Sequence, residues 1–129
     1  MENKVQFLYG YIRINDVLIK ISEICFISPN RNKHIGGMCV LLSSGKEILF
    51  ERVPAEEFNC FDKDTSSFRD FIRLENFIVN VEKVIAITPI PEHYGYDGTF
   101  IHFTDVGQAE LPQIDTKLVL EKIIRHIRY

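Results

Sequence analysis

Residues 11–29 read YIRINDVLIKISEICFISP, and residues 71–89 read FIRLENFIVNVEKVIAITP. The two stretches align without a gap, and Phe71 lies 60 residues after Tyr11. Most aligned pairs share apolar or polar character, and four are identical: Ile12 with Ile72, Arg13 with Arg73, Ile27 with Ile87, and Pro29 with Pro89. Because internal self-similarity is typical of repeated units, the alignment predicts a tandem duplication. The alternative is a pair of unrelated β-meanders with common strand patterns.

Alternating apolar residues predict that each copy is an antiparallel β-meander. In the first copy the expected strands lie at about 11–15, 17–22 and 23–28, followed by a hairpin over 39–50. The second and third of these strands are alternatively one long, bent strand. The alternation places Val17, Ile19 and Ile21 on one face, and their aligned counterparts in the second copy do the same.

Helix-like sequence follows each meander. Residues 54–58, PAEEF, suit the start of a short helix, with proline in the first turn and acidic residues near the N-terminus. In the second copy, Asp115 or Thr116 can cap a C-terminal helix. The apolar stripe expected on that helix consists of Leu120, Ile123, Ile124 and Ile127.

The predicted fold class is therefore mainly β, of the α+β type. Two tandem, pseudo-symmetric antiparallel β-meander repeats are each followed by a helix. We expect repeat one at 1–61, a linker at 62–67 and repeat two at 68–129. A four-stranded unit buries little area alone, so the two repeats are expected to pack as one pseudo-dimer about a pseudo-two-fold axis.

Bulk composition restricts the class of protein. The chain has 129 residues, of which 46% are hydrophobic and 26% charged, so a real core can be buried. The net charge of −3 argues against a dedicated nucleic-acid binder. Three cysteines form no paired framework, and no apolar run is long enough to cross a bilayer. We expect a cytoplasmic protein with free thiols and no membrane partner.

Catalytic and metal-binding motifs are not evident, so we expect no enzyme activity, cofactor or metal site. No two His or Cys residues have the spacing of a structural zinc site. Cys25 aligns with Ile85, which favours a core position. Ser43, Ser44, His102 and Asp105 are the residues that a hydrolytic relay would use, but no nucleophile-elbow pattern surrounds the serines.

Two sets of residues are candidates for binding a partner. The loop of residues 89–98 is long and aromatic, and Tyr94, Tyr96 and His93 would supply rigid contact area if exposed. The alternative is that its tyrosines fold over the edge of the core. Arg13 and Arg73 occupy aligned positions and could bind an anion or an acidic partner. The alternative for each arginine is pairing with a nearby carboxylate on a solvated face.

Both copies resemble the small FlbD-type flagellar family. The matching positions are Asn80, Val84–Pro89 and Ile101–Gly107 in the second copy, and Ile24–Pro29 and Val40–Gly45 in the first. The chain departs from that family at Asn30 and Ile90, where the resemblance implies an aspartate after the proline. The duplication is also foreign to the family. No activity is carried over from the resemblance.

These observations predict a non-enzymatic binding or assembly module. It would act through its sheet edges and the tyrosine-bearing loop, with a protein partner or by self-association. The alternative is a nucleic-acid-binding regulator that uses the cations Arg31, Lys33, Arg125 and Arg128. The overall negative charge disfavours that alternative.

Overall fold

The computed structural model describes residues 5–62, 68–104 and 106–127. The strands are Val5–Leu8 (β1), Tyr11–Ile14 (β2), Val17–Lys20 (β3), Ile24–Pro29 (β4), Met38–Leu42 (β5), Glu47–Phe50 (β6), Phe71–Leu74 (β7), Phe77–Asn80 (β8), Val84–Pro89 (β9), Gly98–Phe103 (β10) and Gly107–Pro112 (β11). The helices are the α-helix Thr116–Ile127 (α1) and the 3-10 helices Ile21–Glu23, Ala55–Asp62, Val81–Lys83 and Glu92–Tyr94. The predicted mainly-β, α+β class is confirmed.

The described strands form three antiparallel sheets. Their strand orders are β1-β2-β3, β6-β5-β4-β8-β7 and β11-β10-β9. The five-stranded sheet joins the two halves of the chain, because β4 pairs with β8. Phe26 lies opposite Val79 in that pairing, and Ile27 lies opposite Ile78. The hairpin β7–β8 therefore belongs to the sheet of the first half, whereas β9–β11 form a separate sheet.

The strand pairing between the two halves is not reciprocal. A two-fold relation that pairs β4 with β8 would also pair β3 with β9. Among the described residues, β3 pairs only with β2, and β9 pairs only with β10. The sheets thus lack the two-fold pairing expected from the sequence. Because a 3-10 turn separates each hairpin from the meander that follows it, a hairpin can join the sheet of the other half, and among the described strands only β7–β8 does so.

The strand prediction was right in separating β3 from β4 and wrong in omitting a strand. The 3-10 helix Ile21–Glu23 lies between β3 and β4, which excludes the alternative of one long, bent strand. Strand β1 was not expected, and it pairs with β2 over Val5–Leu8. Residues 63–67 of the expected linker lie outside the described residues.

The buried side chains form two clusters on either side of β4. Ile24 and Ile27 belong to the first cluster, together with Ile19 and Ile21. Cys25 and Phe26 belong to the second, which is built mainly from the second half of the chain. The prediction that Ile19 and Ile21 share a buried face is confirmed, and so is the core position of Cys25. Each cluster draws residues from both halves, and Ile78 of β8 contributes to the first.

Helix α1 is where it was expected, but its buried face differs. The Asp115 carboxylate accepts a hydrogen bond from the Lys117 amide at 3.1 Å, which caps the first turn. The residues buried are Val119 and Ile123. Three members of the predicted stripe are exposed, namely Leu120, Ile124 and Ile127. The helix packs against β7, β9 and β10, and the flank that carries Leu120, Ile124 and Ile127 stays uncovered. The first-half counterpart is the 3-10 helix Ala55–Asp62.

No helix in the described ranges is both long and apolar enough to span a membrane.

Candidate functional site

The tyrosine loop, residues 89–98, folds partly back onto its own sheet. Tyr94 ends a 3-10 helix, and its ring centroid lies 5.5 Å from that of Phe100 in β10 at an interplanar angle of 75°. The Tyr96 hydroxyl donates a hydrogen bond to the Glu110 carboxylate of β11 at 3.0 Å. That bond holds the phenol proton and raises the pKa of Tyr96. Both tyrosines remain partly exposed, so the loop combines a fixed shape with accessible aromatic surface.

His93 extends the same aromatic surface. Its ring centroid lies 4.8 Å from that of Tyr94, and the Tyr94 and Tyr96 rings meet edge to face at 6.3 Å. The three predicted loop residues are therefore adjacent in space. Phe100, on which Tyr94 packs, lies opposite Thr88 in the sheet. The loop is thus placed near one end of β9.

The structure places Arg13 and Arg73 in different sheets. Arg13, on β2, donates from Nε to the Asn15 carbonyl at 2.8 Å and lies 3.9 Å from the Asp16 carboxylate. This is the local pairing given above as the alternative. Arg73, on β7, donates to the Phe58 carbonyl at 3.1 Å and so ties the 3-10 helix of the first half to the second half. The two arginines do not build one anion site.

An open groove of about 1090 Å³ lies between β7 and α1. Two of its charged contacts lie within the protein. The Lys122 ammonium donates to the Arg73 carbonyl at 3.1 Å, and the His126 ring nitrogen lies 4.0 Å from the Asp70 carboxylate. The groove is also lined by more cations than carboxylates, namely Arg69, Arg73, Lys122 and Arg125 against Asp70 and Glu82.

The cations named for nucleic-acid binding are dispersed. Arg31 and Lys33 lie in the loop between β4 and β5, and Arg125 lies on α1. Arg128 is outside the described residues. The three described cations therefore lie on two separate elements, the β4–β5 loop and α1.

The residues of the imagined hydrolytic relay are not brought together. Ser43 donates its hydroxyl hydrogen to the Glu23 carboxylate. His102 lies in a different sheet from the one that Ser43 adjoins, and it shares a hydrogen bond of 2.8 Å with the Thr88 hydroxyl of the neighbouring strand. Asp105 lies outside the described residues. Within the described ranges, no group of three His, Cys, Asp or Glu residues is placed to hold a metal ion.

Strands β3 and β9 each have one edge that no other strand pairs with in the described part of the chain, and we call these two the open edges. Leu18 of β3 is 58% exposed, although its aligned residue Ile78 is fully buried. Ile85 of β9 is 66% exposed, although its aligned residue Cys25 is fully buried. Sequence reasoning named sheet edges in general but not these two. Alignment of the halves shows equal apolar character at each pair, so it cannot tell which member is covered.

No protein-family model, curated protein or solved structure matches this chain. The resemblance to the FlbD-type flagellar family therefore stays a prediction. The function is inferred from the geometry of the chain itself.

Proposed function

We propose that this chain is a non-enzymatic assembly module that binds protein by adding strands to its open edges, β3 and β9. The observation that carries the proposal is the exposure of Leu18 and Ile85 on strands whose outer backbone groups have no ladder partner in the described residues. An uncovered strand edge with apolar side chains is a template for pairing with another chain. Main-chain hydrogen bonds then supply affinity, and the alternate side chains supply specificity.

The proposal includes a tandem duplication with the two copies arranged head to tail. The order hairpin, 3-10 turn and long strand occurs twice at the same 60-residue spacing, as β2, β3, Ile21–Glu23 and β4, and as β7, β8, Val81–Lys83 and β9. The first residue of each 3-10 turn donates an equivalent backbone hydrogen bond. The Ile21 amide donates to the Gly10 carbonyl at 2.9 Å, and the Val81 amide donates to the Asp70 carbonyl at 2.7 Å.

Irregular backbone positions support the duplication further, because they are not dictated by apolar alternation. Asn15 and Glu75 both adopt positive φ, at 54° and 58°. Arg52 and Gln113, which follow β6 and β11, do so at 63° and 60°. Such values are uncommon outside glycine. Their recurrence at matching places favours common descent over two unrelated meanders.

A close backbone approach recurs as well. A side chain at Gly37 would collide with the backbone of residues 50–52, and one at Gly98 would collide with the Leu111 carbonyl and the Gln113 amide. Only glycine fits where two backbones approach this closely. The register of β4 with β5 also shifts between Ile24 and Phe26, and that of β9 with β10 shifts at the equivalent place.

The tyrosine loop is the second contact surface in the proposal. The loop begins at the end of β9, and its partly exposed rings pack over β10 and β11, where they add aromatic contact area to the same sheet. Tyrosine supplies large contact area at low conformational cost. The loop of the first copy, residues 30–37, has no aromatic residue. The two copies would therefore differ in what they contact next to their sheets.

The proposal is tested by quantitative co-purification from cells. The variants are Leu18→Lys and Ile85→Lys, which place a charge on each open edge. The matched control is Leu49→Lys, because Leu49 is an exposed apolar residue on the edge strand β6. We expect specific partners, including other copies of the chain, to be lost from the two edge variants and retained by Leu49→Lys. Equal recovery from all three variants would refute the proposal, and so would a salt-sensitive gel shift with nucleic acid that both edge variants retain.

A further inference from the structure

We infer that the partner at both open edges is a second copy of this chain, with β9 of one molecule pairing antiparallel with β3 of the next. The inference rests on the proposed function and names its partner. The observation behind it is the β4–β8 junction inside the molecule. By the alignment of the two copies, β9 is the counterpart of β4, and β3 is the counterpart of β8. The chain therefore carries the two strands, β3 and β9, of a second junction of the same kind.

The sheet orders agree with this pairing. The central sheet consists of the meander of copy one and the hairpin of copy two, in the order β6-β5-β4-β8-β7. The two outer sheets are the remaining meander, β11-β10-β9, and the remaining hairpin, β3-β2, extended by β1. Joining β9 to β3 of a neighbour gives β11-β10-β9-β3-β2-β1. Its first five strands repeat the order of the central sheet.

The internal junction also fixes the register. Phe26 lies opposite Val79, and Ile27 lies opposite Ile78. When each of these residues is replaced by its aligned counterpart in the other copy, Ala86 lies opposite Ile19 of the neighbour, and Ile87 lies opposite Leu18. No residue of either strand has to be skipped, because the aligned stretches contain no gap.

A polar contact at the internal junction has an equivalent as well. The buried Asn80 side chain donates to the Ile24 carbonyl at 2.8 Å across the junction. Its counterpart is Lys20, and the counterpart of Ile24 is Val84. An ammonium donor can replace an amide donor at a carbonyl. Lys20 is exposed in the isolated chain, where it is free to reach the Val84 carbonyl of a neighbour.

Strands β3 and β9 are more exposed than their counterparts β8 and β4, as expected if their own junction has not formed. Strand β4 is buried over its first four residues, whereas β9 has no fully buried residue. Strand β8 buries three residues, and β3 buries one. Helix α1, which packs against β9, also leaves Leu120 and Ile124 exposed. Each contact between two copies covers β9 of one molecule and β3 of the other.

This contact joins two different surfaces, so it is heterologous. Such contacts close into a ring or continue as a filament, according to the rotation between neighbours. Among the described strands, the outer edges of β6 and β11 take part in no junction between the halves, and we expect them to stay unpaired in the assembly. They therefore serve as internal controls for the test.

The inference is tested by disulfide trapping with the purified full chain. Leu18→Cys and Ile87→Cys are made as separate variants and mixed under mild oxidation, and the cross-links are assigned by mass spectrometry. Directly opposed residues have Cα separations of about 4.5–5.5 Å, within the range a disulfide requires. We expect the 18–87 bridge to exceed 18–18 and 87–87 bridges several-fold. Gln108→Cys, at an exposed position of the edge strand β11, mixed with Leu18→Cys is the control and should give only background.

Sedimentation velocity provides the second readout. The sedimentation coefficient of the unmodified chain should rise with concentration, that of Leu49→Lys should rise equally, and that of Ile85→Lys should not. An 18–87 yield no higher than the Gln108→Cys control, or a predominance of 18–18 bridges, would overturn the inference. If the purified chain stays monomeric while Ile85→Lys still loses partners in cells, the inference falls and the proposed function stands. If Ile85→Lys loses no partner either, both fall.

Discussion

Asn80 is the polar residue on which the junction between the two halves depends most. It is almost fully buried, and its amide nitrogen donates to the Ile24 carbonyl at 2.8 Å. Its side-chain oxygen accepts from the Glu82 amide at 3.1 Å. Asn80→Ala removes both bonds. Ile24 is itself buried, so its carbonyl loses a partner that water cannot easily replace.

We expect Asn80→Ala to lower the free energy of unfolding by about 2–3 kcal/mol. A buried acceptor left without a partner costs about 1–3 kcal/mol, and loss of the second bond adds less because Glu82 is exposed. The matched control is Lys20→Ala at the aligned, exposed position, which should change stability by less than about 0.5 kcal/mol. Both are measured by urea unfolding at low protein concentration, so that self-association does not contribute.

The two variants together test whether the β4–β8 junction depends on the buried Asn80 amide. Equal effects of Asn80→Ala and Lys20→Ala would show that the β4–β8 junction does not depend on the buried amide. A loss of cooperativity in Asn80→Ala, with the two halves unfolding separately, would instead strengthen the assignment of this contact to the junction.

Three further outcomes are expected. Phe26→Ala should lower the free energy of unfolding by about 3–5 kcal/mol in the same assay, because the ring is buried in the second cluster; a change below about 1 kcal/mol would contradict its placement there. Peptide mapping after brief alkylation of the native chain should find Cys39 modified before Cys25, since burial raises the pKa of both thiols but Cys25 is fully buried and Cys39 only partly so; the reverse order would be inconsistent with the core. Tyr96→Phe should reduce stability at pH 7, and the difference should vanish as the pH rises above about 10, because a raised folded-state pKa stabilises only while the phenol is protonated; a difference that persists at high pH would exclude the Glu110 bond as its cause.

Local structure was predictable from the sequence, because the signals are local. Apolar alternation located β2, β3 and β4, and the capping group of α1 was also identified. Strand β1 was missed because Phe7 and Leu8 are both exposed, which gives no alternation between buried and exposed positions. The stripe on α1 was only partly right, since Ile123 is buried but Ile124 is not. Periodicity alone does not reveal which flank of a helix meets the sheet.

The partition of strands into sheets could not be predicted. Leu18 and Ile78 have the same character in the aligned copies, yet one is exposed and the other is buried. The difference arises from a long-range pairing between β4 and β8, and no local pattern encodes it. Arg13 and Arg73 show the same limit, because identical residues at aligned positions have different hydrogen-bond partners.

Amide hydrogen exchange, followed from dilute to concentrated solution, examines the open edges most directly. We expect peptides covering Val17–Lys20 and Val84–Pro89 to exchange more slowly as concentration rises, while those covering Glu47–Phe50 and Gly107–Pro112 keep a constant rate. If exchange slowed only in Glu47–Phe50 and Gly107–Pro112, or if no rate depended on concentration, the chains would not pair through β3 and β9.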